Sequence, residues 1–256
     1  MINRKRDIRT TGGTLFSFIG FMLIQYIVIS QEGYKFTAQG ACEMILMDTG
    51  VLMFILFAYN AVLAGSLIGE EITSERIKIW LSLPVLRGHV FSRMVKRFLK
   101  RSFALSILMF MFIMVLINYI CNTTPENPVL AVIGIIQLIL VSVAFATLMA
   151  VAIKGSANMP FTIILPIAIF WLQQLFYSTS MNPEATAVDK AANVIITVLM
   201  PIHVAYQNIV YGMSPNTDVL VTYPTGSPLW GNIILVIWLV IVAMYLMRTV
   251  KKYETA

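Results

Sequence analysis

Residues 69–102 read GEEITSERIKIWLSLPVLRGHVFSRMVKRFLKRS, and eleven of them are charged in a chain that is only 12% charged overall. Apolar runs long enough to cross a bilayer flank this stretch on both sides. The chain has 256 residues, is 59% hydrophobic and has a mean hydropathy of +0.83. A soluble domain carries about a quarter charged residues. The charged stretch is therefore read as a loop between two membrane-spanning helices, and the rest of the fold follows from that.

Outward from the loop, spans require about 17–25 mostly apolar residues each. Six runs qualify, at 13–30, 49–68, 103–120, 129–152, 160–177 and 229–247. They are too long and too uniformly apolar for barrel strands, and helices satisfy their own backbone in lipid. The expectation is an all-α membrane protein with six transmembrane helices in one domain, residues 1–256. The basic head MINRKRDIRTTGGT before the first run resembles that of a signal peptide. The run ends in Ser30-Gln31-Glu32 without a small-residue cleavage site, so it is read as a retained span. Residues 31–48 are expected to form a short link and 121–128, CNTTPENP, a tight turn.

Basic residues orient the spans. With both termini cytoplasmic, sixteen of the eighteen Lys and Arg fall inside, and only Lys35 and Lys190 fall outside. The net charge of +6 is then a topology signal that points away from nucleic acid and toward anionic headgroups of the lipid bilayer. Localisation in a plasma or inner membrane follows. Cys42 and Cys121 both fall near the outer face, where a disulfide is open to them.

Within residues 191–212, AANVIITVLMPIHVAYQNIVYG, the apolar part is too short to cross and Pro201 interrupts it. It is expected to be a re-entrant or interfacial hairpin before span six, since irregular backbone at depth needs protein or water cover. The six runs hold no Asp, Glu, Lys or Arg in their central parts. That argues against ion-coupled carriers and charge-lined channels. No phosphate-binding loop, metalloprotease helix, nucleophile elbow or Cys-x-x-Cys occurs, so no catalytic residue, no metal site and no bound cofactor is expected. Polar residues do occur in the runs, among them Asn60, Gln137, Gln173 and Gln174. They serve either as inter-helix hydrogen bonds or as the lining of a substrate path. Met109 and Met111 should point to different faces of one helix, which suits packing better than copper binding. His89 and His203 fall on opposite sides of the membrane.

The opening stretch itself resolves into parts. Glu70 and Glu71 stand where a helix start favours negative charge. Ile72, Ile79, Trp80 and Leu83 fall on one helical face, with Glu75, Arg76 and Lys78 elsewhere. Pro84 ends the element, VLRG forms a turn, and HVFSRMVKRFLKRS leads into span three. Such a segment is either an interfacial anchor or a docking lever.

The run from Glu71 through Trp80-Leu81-Ser82-Leu83-Pro84-Val85-Leu86 to Arg87 resembles the signature of ABC-2 type transporter permeases. The Gly-Thr pair of that signature is Glu75-Arg76 here. The resemblance covers the whole chain and implies a coupling helix between spans two and three, carrying Glu70, Glu71, Glu75, Arg76, Trp80, Pro84 and Arg87. It implies a partner ABC ATPase in two copies, with ATP and Mg bound there, and a second copy of this or a related permease. It implies that the interrupted segment, with Pro201, His203 and Tyr206, helps close the outer mouth. The expected function is export of an amphipathic cargo such as a drug, peptide, lipid or glycan. The alternatives are an ATPase-binding membrane scaffold or signalling subunit, an intramembrane enzyme, or export of a factor for metalloenzyme maturation.

Overall fold

The structure, a computed structural model, describes residues 4–31, 38–69, 87–121, 125, 127–153, 158–180, 186–213 and 228–255. The described residues are helical apart from caps and short breaks. In chain order they form α1 (Arg4–Gln31), α2 (Ala38–Ala64), α3 (Arg87–Cys121), α4 (Pro128–Ala152), α5 (Asn158–Ser180), α6 (Ala187–Leu199), α7 (Ile202–Met213) and α8 (Pro228–Thr255). The chain is a membrane-embedded all-α protein. Four stretches are each long and apolar enough to cross a bilayer: Met47–Gly69, Ser92–Val115, Pro128–Ala152 and Leu229–Thr249. The α6–α7 pair would make a fifth if it counts as one broken span. The first and fifth expected spans lie in α1 and α5, whose apolar stretches, Thr11–Ile24 and Met159–Gln173, are shorter than the roughly 17–25 residues of a full crossing.

Two boundaries differ from the expectation. Most of the supposed link 31–48 is helix, because α2 already starts at Ala38. Its sequence AQGACEMILMDTG holds no proline and several strong helix formers, so nothing stops the helix from extending back. Arg87 and Gly88, expected in a turn, are the first residues of α3. The basic lead-in and the third span are thus one 35-residue helix. At its other end α2 widens into a π turn, Gly65–Gly69, where Ser66 donates to the Leu63 carbonyl at 3.1 Å. That turn immediately precedes the charged segment, and residues 70–86 lie outside the described residues.

The break before α4 is built locally. Asn127 caps the helix by accepting from the Leu130 amide at 3.1 Å, and Pro128 follows as the first helical residue, where its missing N–H costs nothing. The core is centred on α2, α4 and α7, with Leu52, Leu56, Phe57, Leu138 and Ile209 all essentially inaccessible. Phe57 meets Phe145 edge-on at 6.5 Å, joining α2 to α4. The Thr11 and Tyr59 hydroxyls, 3.0 Å apart, join α1 to α2. On α3 Met109 is buried and Met111 is 56% exposed, as their spacing requires. The last helix, α8, is peripheral: only 17% of its apolar window is buried within the chain, so its apolar surface is left for lipid or another chain.

Candidate functional site

The interrupted segment before α8 joins a largely exposed helix, α6, to a continuously buried one, α7. Thr186 starts α6 with a capping box: it accepts from the Asp189 amide at 3.3 Å, and the Asp189 carboxylate accepts from the Thr186 hydroxyl at 2.7 Å and its amide at 2.9 Å. Those two bonds, the hydroxyl first, hold the Asp189 carboxyl below its usual pKa. After Leu199 the chain turns by 94° at Met200–Pro201 and continues as α7. The expected hairpin is therefore an elbow. Proline has no N–H to extend the α6 ladder, which leaves the last carbonyls of α6 to find other donors.

Those donors come from neighbouring helices. Gln173 on α5 donates through Nε2 to the Met200 carbonyl at 2.7 Å and to the Ile196 carbonyl at 3.1 Å. Trp238 on α8 donates through Nε1 to the Leu199 carbonyl at 2.9 Å. The Ile202 amide closes on the Met200 carbonyl at 2.8 Å. An interrupted helix at membrane depth requires this kind of satisfaction, because no bulk water is there to supply it.

From the elbow, α7 is sunk against α4. Residues 200–210, Gly212 and Met213 are all buried. The two helices run antiparallel and approach through glycines. A Cβ on Gly134 would stand 2.7 Å from the Ile209 amide nitrogen and 2.9 Å from the Ala205 carbonyl oxygen. One on Gly212 would collide with the Ala131 backbone nitrogen and lie 2.7 Å from its Cα. Small residues at such crossings let backbones close in and maximise dispersion contact. At the same end, the Asn127 amide donates to the Gly212 carbonyl at 3.1 Å. The positive start of α4 thus meets the negative end of α7.

A cluster of side-chain amides fixes the position of α7. Asn208, fully buried, donates through Nδ2 to Gln137 Oε1 on α4 at 2.6 Å and to Asn232 Oδ1 on α8 at 3.0 Å. Gln137 Nε2 donates to the same Asn232 oxygen at 2.6 Å. Beside the elbow, Phe170 on α5 packs against Tyr206 at 4.9 Å and against His203 at 6.1 Å, and the His203 and Tyr206 rings stack at 6.1 Å. On the seam between α2 and α4, Asn60 Nδ2 donates to Ser142 Oγ at 2.7 Å, and the Ser142 hydroxyl donates to the Ile139 carbonyl at 3.0 Å.

The structure thus gathers Gln173, Pro201, His203 and Tyr206 around one elbow, sets Gln137 against the middle of α7, and sets Asn60 on the α2–α4 seam. Asn60, Gln137 and Gln173 each donate across helices. Gln174 lies on α5, and Arg87 opens α3. Glu70, Glu71, Glu75, Arg76, Trp80 and Pro84 lie outside the described residues. Sequence reading missed Asn208, Asn232 and Trp238. Asn208 was signalled by the polar pair Gln207-Asn208 inside an apolar run, but nothing along the chain told which residues it would meet. It also missed Asp48, which the early start of α2 places inside the helix and which is fully buried. A carboxylate in that setting is costly to bury. Among the described residues no three His, Cys, Asp or Glu side chains gather as a metal site. Comparison with known proteins yields no match: no family model, no curated protein and no solved structure corresponds to this chain.

Proposed function

We propose that the chain is the permease subunit of an ATP-driven exporter of the ABC-2 type, moving an amphipathic cargo out of the cytoplasm. It has six spans with both termini cytoplasmic, and it pairs with a second permease and two ATPase subunits. The observation that carries this reading is the elbow. A broken helix pair stands before the last helix, where an outer-mouth element belongs, and side chains from α4, α5 and α8 bond to it at its break and along its buried half. A packed, hydrogen-bonded unit joined to three other helices moves as a body when they shift, which is what a gate requires. The motif from Glu71 to Arg87, on the side richest in Lys and Arg, supplies the contact to the ATPase. Energy has to come from that partner, because the sequence holds no phosphate-binding loop. The amide-lined, largely apolar interior suits amphipathic cargo.

The test is reconstitution in vesicles with an ABC ATPase subunit of the same organism, sought first in the neighbouring reading frames. ATP-dependent movement of cargo is expected, and the purified chain alone should hydrolyse no ATP. Glu71→Ala and Arg87→Ala should weaken transport-coupled hydrolysis while membrane insertion stays normal, with Arg76→Ala as the comparison where the motif departs. If both variants assemble, hydrolyse and export like the parent, neither residue is a coupling contact. If the complex assembles and hydrolyses ATP but moves no amphipathic probe, the scaffold reading replaces this one.

A further inference from the structure

Between α3 and α4 runs a groove made by two helical stripes. Lys96, Leu99, Lys100 and Phe103 recur at i, i+3, i+4 and i+7 on α3, and Ile136 and Ile139 stand one turn apart on α4. Each set therefore shares one face of its helix. Together they enclose about 320 Å³, close to the lower end of ordinary small-molecule sites, about 300–1,000 Å³. Ile139 is buried and forms the floor, whereas Phe103 and Ile136 are 42% and 39% exposed. The groove thus opens outward from the bundle, onto the surface that faces lipid.

Its polarity is graded. Both lysines are exposed and lie toward the start of α3, and Phe103 lies farther along, by roughly 10 Å from Lys96 and roughly 5 Å from Lys100 at about 1.5 Å per residue. Apart from the lysines the lining is entirely apolar, and it contains no carboxylate. Arg93 and Arg97, also exposed, add positive charge on neighbouring positions of the same helix. Lysine stems lie along apolar surface while their ammonium groups reach toward the headgroup region. A ligand that matches this gradient carries a negative charge at one end and a hydrocarbon chain at the other. A zwitterionic headgroup brings its own cation up to the lysines and loses most of the attraction. We infer that the α3–α4 groove is a binding site for an anionic phospholipid, whose phosphate sits between Lys96 and Lys100 and whose acyl chain runs along Leu99 and Phe103. This stands on the membrane-embedded fold alone and does not depend on the exporter reading.

The full-length chain, purified in a mild non-ionic detergent, is titrated with phosphatidylglycerol and with phosphatidylcholine of matched tails, and bound lipid is read by native mass spectrometry. Phosphatidylglycerol should be retained preferentially. A basic residue near an anionic surface contributes about a factor of five, so Lys96→Gln with Lys100→Gln should weaken it by about 25-fold. Arg248→Gln, a basic residue outside the groove, should leave retention unchanged. Ile136→Trp, which fills the groove from its exposed side, should displace the lipid without touching its charge partners. Glycerol phosphate, which has no tails, should not compete. Equal retention of the two lipids overturns the inference, and so does loss with Arg248→Gln equal to that with the lysine pair. Unchanged retention in Ile136→Trp, or full competition by glycerol phosphate, reduces the site to surface charge and also overturns it.

Discussion

At the scale of single residues, the glycines of this chain separate into two kinds that composition does not distinguish. Gly134 and Gly212 sit where the α4 and α7 backbones nearly touch, whereas a Cβ on Gly50 meets nothing within 4 Å. Gly134→Ala and Gly212→Ala should each destabilise the protein by about 1–3 kcal/mol, the usual cost of forcing extra volume into a closed contact. Gly50→Ala should be neutral or stabilising by up to about 1 kcal/mol, since alanine is the better helix former. Thermal unfolding in one fixed detergent compares the three, and equal behaviour would mean that the crossing is looser than described. The same contrast shows what the sequence conceals. A glycine inside an apolar run carries no mark of the helix it will meet. Asp48 was concealed differently: hydropathy placed the span boundary beside it, while helix propensity carried α2 well past it.

At the scale of elements, the elbow is half legible. Pro201 inside a short apolar run announces that the helix breaks, because the reason is local. The 94° angle and the donors that make it tolerable are not local, since Gln173 and Trp238 come from helices on either side in the chain. Their contributions can be separated. Gln173→Leu keeps the bulk and removes a donor shared by two carbonyls, and should cost about 1–3 kcal/mol, the penalty of leaving buried acceptors short of partners. Trp238→Phe keeps most of the ring and removes one N–H, and should cost about 0.5–1.5 kcal/mol. Both should raise hydrogen exchange at residues 202–213 before they affect α2 or α3. If exchange rises equally everywhere, the caps support the whole bundle and the elbow is not a separable unit. The amide cluster belongs with the illegible half. Gln137 was visible as a polar residue in a span, but its meeting with Asn208 and Asn232 is a product of packing.

At the scale of the whole molecule, the all-helical membrane architecture was legible because bilayer thickness imposes run length directly. Orientation rests on where Lys and Arg fall, which is a statement about sides and not about contacts. It yields a direct measurement. With Cys42 and Cys121 replaced by Ser, a cysteine placed at Asp218 should react with an impermeant reagent in intact cells. One placed at Glu254 should react only after the membrane is opened. Labelling of both from the same side would mean that α8 does not cross and would contradict six spans, whereas reversed labelling, Glu254 from outside and Asp218 only after opening, would contradict the reading of α6–α7 as an element that does not cross. The exporter and the groove-bound lipid predict independent outcomes at this scale, since one needs the ATPase partner and the other only the purified chain.

The position of α7 has a consequence for how the protein is made. Synthesis delivers the chain from the N-terminus, so α4 reaches the membrane well before α7, and α8 last. Yet α7 ends up antiparallel to α4 with every residue from Ile202 to Val210 covered, and its central amide meets Asn232 only after α8 has left the ribosome. The α4 and α5 contacts of α7 are available as soon as it emerges, but Asn208 lacks its Asn232 partner and the Leu199 carbonyl lacks the Trp238 donor until α8 follows. The final helix therefore completes the bonding of the elbow. A ribosome stalled or terminated before Asn232 and Trp238 would leave the nascent chain with its earlier helices in the bilayer and its central element not yet fully bonded, a natural substrate for membrane quality control.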